Sequence, residues 1–408
     1  MVHFNPLKAL TPPTEHAATV AAPPYDVINR QEAREYLQNR PHSILRVTRA
    51  DALLDDKISL YAPEAYQKSL QEFQTLIQQG YLQHSNEIAY YVYAQRMGQH
   101  KQVGIVGLAS AEDYWQDRIK KHEFTLPKKE DDRMQQMHTL KAHLGPVFMA
   151  YHAQQDIDRC VQAITQQVPW VDFVAEDAVQ HQVWKVENPA DIEMIQAGFA
   201  QVDALYIADG QHRAAAASRV GKGIASDQAQ GQFLAVAFPD HQLQILPYNR
   251  VVHHLNGHSA SSFLQALGEK FDLQEIPQAQ AAEHPQQWSM YLEQQWYYLT
   301  PKASLKDEIA QRSVTDRLDV SVLQHEILAP LLAVQNPRTA THIDFVGGIR
   351  GLSALQQRAD HYQGVAFALY PTSIQELMSI ADAGSVMPPK STWFEPKLRS
   401  GLVISTFE

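Results

Sequence analysis

Five consecutive residues, Asp209-Gly210-Gln211-His212-Arg213, carry the densest chemistry in the chain. They stand between a strand-like apolar run, Ala204-Leu205-Tyr206-Ile207-Ala208, and an alanine run, Ala214 to Ala217, that favours helix. The order predicts strand, glycine turn, helix. A strand end feeding a helix presents free backbone N–H groups and the positive end of the helix dipole, and both hold an anion. Gly210 permits close backbone approach, Arg213 offers a fork for phosphate oxygens, and Asp209 can take a proton or bind Mg²⁺. His212 can move a proton near neutral pH. The simpler reading is that Asp209 caps the helix and Arg213 pairs with a surface acid, since Asp-Gly turns are common.

Two further stretches mix the same residue types. Arg118 to Arg133 holds ten charged side chains in sixteen positions. Carboxylates beside lysines suit a metal–phosphate site, yet equally suit an exposed salt-bridged loop, which is the reading for most of these residues. Lys121, His122, Glu123, Asp132 and Arg133 are retained as candidates. His122 and Glu123 join Asp209 and His212 as catalytic candidates, Lys121 and Arg133 would bind phosphate, and Asp209, Glu123 and Asp132 would hold the metal. The segment Met387 to Leu402 adds Lys390, Ser391, Thr392 and Lys397 as phosphate binders, with Trp393 and Phe394 free to cover a base or pack inward. Tyr25-Asp26, after Pro23-Pro24, and Asn249-Arg250, after Tyr248, are candidates for substrate contact. Cys160 has no legible histidine partner, and the 19 histidines show no zinc spacing.

These residues need elements to position them. Asn29 offers an N-cap to a short helix that stops ahead of Pro41, Ser43 to Thr48 reads as a strand, and Pro63 to Gln79 carries a helical stripe of Tyr66, Leu70, Phe73, Leu76 and Ile77. Ile88 to Tyr93 and Val103 to Leu108 flank a turn and predict a hairpin. The helix after Arg133 is expected to end at Gly145. Phe233 to Phe238 and Leu243 to Tyr248 suggest a strand pair, Leu318 to Leu332 a helix and Val365 to Tyr370 a buried strand. Ser373 and Glu376 form a capping box for a helix from Ile374 to Ala383. The small-residue connection Gly221 to Gly231 suggests two α+β domains, 1–230 and 231–408, with mixed short sheets, flanking helices and a cleft to which both contribute.

Composition narrows the functions. The 408 residues carry 34 Lys and Arg against 45 Asp and Glu, a formal charge of −11. General nucleic-acid binding draws its affinity from a cationic surplus, which is missing here. No basic recognition helix of a helix-turn-helix is legible. No apolar run approaches the ~18 residues of a membrane helix, and a single cysteine with no leader-like start gives a cytoplasmic expectation. The few cations concentrate in the motif segments, which fits one small phosphate site. Oligomeric state is not legible.

Together, Pro23-Pro24-Tyr25-Asp26-Val27-Ile28, Lys120-Lys121-His122-Glu123, Asp209 to Arg213, Tyr248-Asn249-Arg250 and Pro388-Pro389-Lys390-Ser391-Thr392 resemble, in the same order, the bacterial domain of unknown function ten-fifteen family. The Asp-Gly-x-His-Arg turn alone is similar to one in the ParB/sulfiredoxin-like superfamily, which includes nucleotide-dependent free serine kinases. That similarity implies a ParB/sulfiredoxin-like core, with Asp209, His212 and Arg213 on the phosphate and catalytic turn. Gln211 departs from the pattern, because an amide does not titrate where relatives often carry histidine. The same position holds the reactive cysteine of sulfiredoxin, so that redox chemistry is not expected. The resulting expectation is a small-molecule kinase or phosphotransferase: Mg²⁺ and a nucleotide or other phosphoryl donor, with a small hydroxyl-bearing substrate such as serine. The alternative is a non-catalytic nucleotide-sensing module, which needs Arg213 but neither His212 nor Glu123.

Overall fold

The structure, a computed structural model, describes residues 1–222 and 231–407. The chain forms two compact units: Met1–Leu243 with Pro396–Glu408, and Gln244–Glu395. The architecture is α+β, as expected. The division differs from the expected 1–230 and 231–408, because the strand Gln232–Pro239 is built into the sheet of the first unit and the C-terminal residues return to that unit. Of the Gly221 to Gly231 connection, residues 223–230 lie outside the described residues.

In the first unit a mixed sheet runs in the order Ile119–Lys120, Leu205–Asp209, Val147–Tyr151, Gln232–Pro239, His100–Ser110, Tyr90–Met97, Gln180–Val186, Val171–Val174, with Phe4–Asn5 also on His100–Ser110. Tyr90–Met97 and His100–Ser110 form the expected hairpin, closed by Gly98 at φ +58°. Leu205–Asp209 lies antiparallel to Val147–Tyr151 and parallel to Ile119–Lys120, so the segment after Lys120 continues beside the strand end that carries Asp209. The expected pairing of 233–238 with 243–248 does not occur. All eight residues of Gln232–Pro239 are buried, and such a run gives no alternation from which a partner is read. Gln244–Leu246 instead pairs with Trp393–Glu395 in the second unit.

Helices cover this sheet and a second, smaller core. Asn29 and Glu32 make a reciprocal capping box on Arg30–Asn39. Pro63–Gln78 starts on its proline and buries Phe73 and Leu76 among Leu37, Leu45, Val47 and Leu140. Residues 43–48, expected as a strand, form the helical turn Leu45–Thr48; their apolar side chains all point into one core, a pattern that short apolar runs share between helix and strand. Much of the charged stretch 118–133, expected as a loop, is the start of the helix Pro127–Leu140, which ends at Lys141 in a left-handed conformation and not at Gly145. Ala142–His143, Ile404–Thr406, Ala9–Thr11 and Gln83–His84 form a small sheet that fixes the C-terminal segment to this unit.

The second unit is an antiparallel six-stranded sheet in the order Phe271–Ile276, Gln295–Pro301, Trp288–Leu292, Val365–Leu369, Tyr248–Val252, Ile343–Gly347. Helix Gly351–Tyr362 packs Leu355 and Ala359 against Val251, Val346 and Ala366. The capping box of Ser373 and Glu376 opens Ile374–Asp382 as its sequence predicts, and the expected helix from Leu318 begins at Asp319 and passes into a π-helical turn, Gln324–Leu328. Among the described residues no helix is long and apolar enough to cross a membrane.

Candidate functional site

Strand Leu205–Asp209 runs into Gly210 and then into helix Gln211–Val220, the layout its sequence predicts. Gly210 is the N-cap, at φ +91°, and a Cβ there would come within 3.0 Å of the Arg213 guanidinium. Only glycine meets both demands. The helix has no side-chain cap, so Asp209 does not spend its carboxylate on capping. Its Oδ2 instead lies 3.7 Å from Arg213 Nη2 and 3.5 Å from Lys397 Nζ. Burial raises the affinity of Asp209 for a proton, but Lys397, Arg213 and the Gly210 N–H outweigh it and hold the carboxyl below its usual range. At neutral pH Asp209 is therefore an acceptor or a ligand, and not an acid.

Lys397 arrives from the other end of the sequence. Gln95 Nε2 donates to its carbonyl at 2.9 Å. Two residues on, Arg399 is buried and donates to Glu176 at 2.9 Å and Asp177 at 2.5 Å. These bonds hold the segment that delivers the lysine.

Around the turn the expected residues take distinct positions. Gln211 is buried, donates to the Ile207 carbonyl at 3.3 Å and lies 3.3 Å from His122 Nδ1. Burial pushes the His122 pKa down to about 4, with the Ile207 backbone and Asp209 opposing. His122 is thus neutral at pH 7 and can accept from the Gln211 amide. His212 Nε2 accepts from the Leu126 N–H at 3.0 Å, which ties the helix to the loop before Pro127. Glu123 is half-buried on that same loop. Lys121 turns to the Tyr114 ring, 4.4 Å from its centroid, and stands 4.0 Å from Asp117.

A second group adjoins Arg213. Arg133 lies 3.8 Å over the Tyr25 ring, and donates through Nε to Asp132 Oδ2 at 2.8 Å and through Nη1 to Gln136 Oε1 at 2.7 Å. Tyr66 donates to Asp132 Oδ1 at 2.7 Å. Both Asp132 oxygens accept hydrogen bonds, and its charge is balanced by Arg133. Burial pushes the Tyr25 hydroxyl up to about 12 against the pull of Arg133 and Arg213. Asp26 is exposed. Arg133 and Arg213 line one cavity of about 30 Å³ with Tyr25, Gln136, Thr48 and Ser400. Sequence reading missed Thr48 and took Tyr66 as packing alone; no spacing signal points to either, because the Arg133 and Asp132 beside them are remote in sequence.

The remaining candidates belong to the second unit and serve its interior. Arg250, 2% exposed, donates to the carbonyls of Tyr248, Pro389 and Lys390 and stacks on Phe345. Asn249 accepts from the Leu369 N–H at 3.1 Å. The expectation of substrate contact at this pair is corrected, since both are buried and bonded to backbone. Ser391 donates to the Pro388 carbonyl, and Lys390 stands over the Tyr248 ring at 5.2 Å, while Thr392 is half-buried. Among the described residues no group of three or more His, Cys, Asp or Glu is arranged to hold a metal.

A family model described as protein of unknown function (DUF1015) matches residues 4–321. Curated proteins give no match. Among solved structures the chain is similar to SbnI with a C-terminal truncation from Staphylococcus aureus, at 13% identity over 74% of this chain and 87% of that one, TM-score 0.40. It is also similar to a free serine kinase in complex with AMP, at 13% identity over 72% and 89%, TM-score 0.35. A conserved hypothetical protein from Pyrococcus furiosus matches at 12% identity over 70% and 91%, TM-score 0.34.

Proposed function

The chain belongs to the DUF1015 family, and for it we propose phosphoryl transfer from a nucleotide to a small hydroxyl-bearing metabolite at the Asp209–Arg213 turn. One observation carries the reading: an ionised Asp209 flanked by Arg213 and by the sequence-remote Lys397, at a glycine N-cap of a helix without a side-chain cap. Terminal phosphate oxygens fit over Gly210 on the helix N–H groups, with Arg213 and Lys397 balancing their charge. Asp209 and Glu123 are the carboxylates that would hold Mg²⁺, which supplies further charge neutralisation when bound. Asp209 also accepts a hydrogen bond from the acceptor hydroxyl and aligns it. Phosphoryl transfer passes through a loose transition state and needs little basicity, so positioning and charge supply most of the rate.

A second reading, nucleotide sensing without chemistry, draws on His212. Its Nε2 is taken by the Leu126 N–H, which suits a loop anchor better than a proton shuttle. Thermal-shift titration with ATP, ADP and pyrophosphate, with and without Mg²⁺, followed by turnover with hydroxyl acceptors, separates the readings. We expect Arg213→Met to weaken nucleotide binding at least ~10-fold, and Asp209→Asn to spare binding but slow turnover ~100-fold or more. Binding without turnover selects the sensor. No nucleotide binding at all removes both.

A further inference from the structure

Three buried polar side chains stand in one row across the large sheet of the first unit. Gln102, Gln95 and His181 face one another on His100–Ser110, Tyr90–Met97 and Gln180–Val186, and each is 0% exposed. Val92 and Ala94 belong to the apolar core, so the alternation of the strand puts Tyr93 and Gln95 on its other face. Glutamine is seldom this deep, and a buried amide is costly unless it is bonded. Here the bonds lead to one segment. Gln102 Nε2 donates to Gln95 Oε1 at 2.9 Å, and Gln95 Nε2 donates to the Lys397 carbonyl at 2.9 Å. Two residues on, Arg399 Nε donates to His181 Nε2 at 3.5 Å, and the Arg399 backbone N–H donates to the Tyr93 hydroxyl at 3.4 Å. Burial, reinforced by Arg399, keeps His181 neutral. A guanidinium only donates, so the ring proton is on Nδ1, 2.7 Å from the same Tyr93 hydroxyl.

What the row grips is the backbone that carries Lys397. The Lys397 ammonium, 17% exposed, stands 3.5 Å from Asp209 Oδ2. Its stem is a flexible chain of four carbons, so the ammonium is placed only when the backbone beneath it is placed. Apolar side chains of equal volume would fill this face of the sheet without choosing where the segment lies. Amides and an imidazole do choose, because their bonds are directional. We propose that Gln95 is a positioning residue for Lys397: its amide, oriented by Gln102, fixes the segment 397–399 on the sheet and so holds the ammonium at Asp209. The placement does not depend on the reaction. Only the use of the ammonium, to balance phosphate charge, rests on the phosphoryl-transfer reading, and there a displacement of about 1 Å can cost ~100-fold in rate.

The test uses the full chain. Acetylation of lysines by an N-hydroxysuccinimide ester, followed over time by mass spectrometry, reports the Lys397 ammonium without nucleotide. Gln95→Leu, which roughly keeps the volume and removes both amide bonds, should speed Lys397 acetylation at least ~3-fold and leave the other lysines of the first unit unchanged. ATP affinity is then measured for Gln95→Leu, Lys397→Ala and the double variant. Gln95→Leu alone should weaken ATP binding ~5-fold or more, and less than ~2-fold when residue 397 is already alanine. A merely structural loss would be the same in both backgrounds. Gln102→Leu, which spares the bond to Lys397 but removes the one that orients Gln95, should give the same readings with smaller effects and serves where Gln95→Leu folds poorly. The proposal is overturned if Lys397 acetylates at the parent's rate in the folded variants, or if ATP binding weakens equally with and without Lys397. Faster acetylation in a protein that binds no ATP keeps the placement and removes the phosphoryl-transfer reading. Faster acetylation with ATP affinity unchanged by either single variant keeps the placement and takes Lys397 out of the phosphate site.

Discussion

Acid should weaken the first unit well before its carboxylates titrate. His122, His143 and His181 are 3%, 6% and 0% exposed. Burial holds their pKa values at about 4, about 4 and about 3; Ile207 and Asp209 oppose it at the first and Gln232 at the second, and Arg399 reinforces it at the third. Each folded value lies below the ~6.5 of an unfolded chain, so the unfolded state binds the extra proton. Stability from these groups is complete above pH ~6.5 and is lost as pH falls toward their folded values. At pH 5 each histidine costs about 2 kcal/mol, and the three together about 6 kcal/mol, a large share of the ~5–15 kcal/mol of a typical domain. The second unit carries a shift of opposite sign. Burial, with Glu376 adding and the Gln286 N–H opposing, raises Asp319 to about 7, so its contribution grows as pH falls through 7. Asp158 in the first unit is also raised by burial but is only half-buried, which limits its compensation. Hydrogen exchange read by mass spectrometry, corrected for intrinsic rates, reports the units separately. Peptides from the first unit should lose protection between pH 7.5 and 5 while those from the second hold or gain it. Equal protection of first-unit peptides at both pH values would refute the linkage, as would an unchanged pH slope in His181→Asn and His143→Asn.

Two other perturbations probe local conformations. Gly210→Ala places a Cβ at φ +91° against the Arg213 guanidinium; a loss of about 1–2 kcal/mol in chemical denaturation is expected, with weaker nucleotide binding. Arg250→Lys replaces a fork that reaches three carbonyls with a point charge, and should cost about 1–3 kcal/mol in the second unit with no change in nucleotide affinity.

Local physics made part of this fold legible. The strand–turn–helix at 205–220, the capping boxes at Asn29 and Ser373 and the proline-initiated helix from Pro63 depend on residues within one or two turns of each other, and the structure has each where its sequence predicts. The type of Leu45–Thr48 was not legible because a short apolar run fits helix and strand alike, and the partners of the strand Gln232–Pro239 were not because a fully buried strand shows no alternation. Asn249 and Arg250 drew attention as polar residues at a strand, and only their burial among backbone carbonyls and amides explains them.

The sequence by itself determined the Asp209–Arg213 turn, since the glycine, the apolar run before it and the alanines after it act through neighbouring backbone. It also determined that cations are scarce and gathered near a few motifs. Only the tertiary structure decided which of them meet: Lys397 reaches Asp209 because the C-terminal strand is held by Ala142–His143 and Ala9–Thr11 and by Arg399. Lys121 and Asp132 were drawn to Tyr114 and Arg133 instead. The cavity of Thr48, Arg133, Arg213 and Gly145 has no linear signature, because it is assembled by elements whose contacts are made through burial and not through the chain.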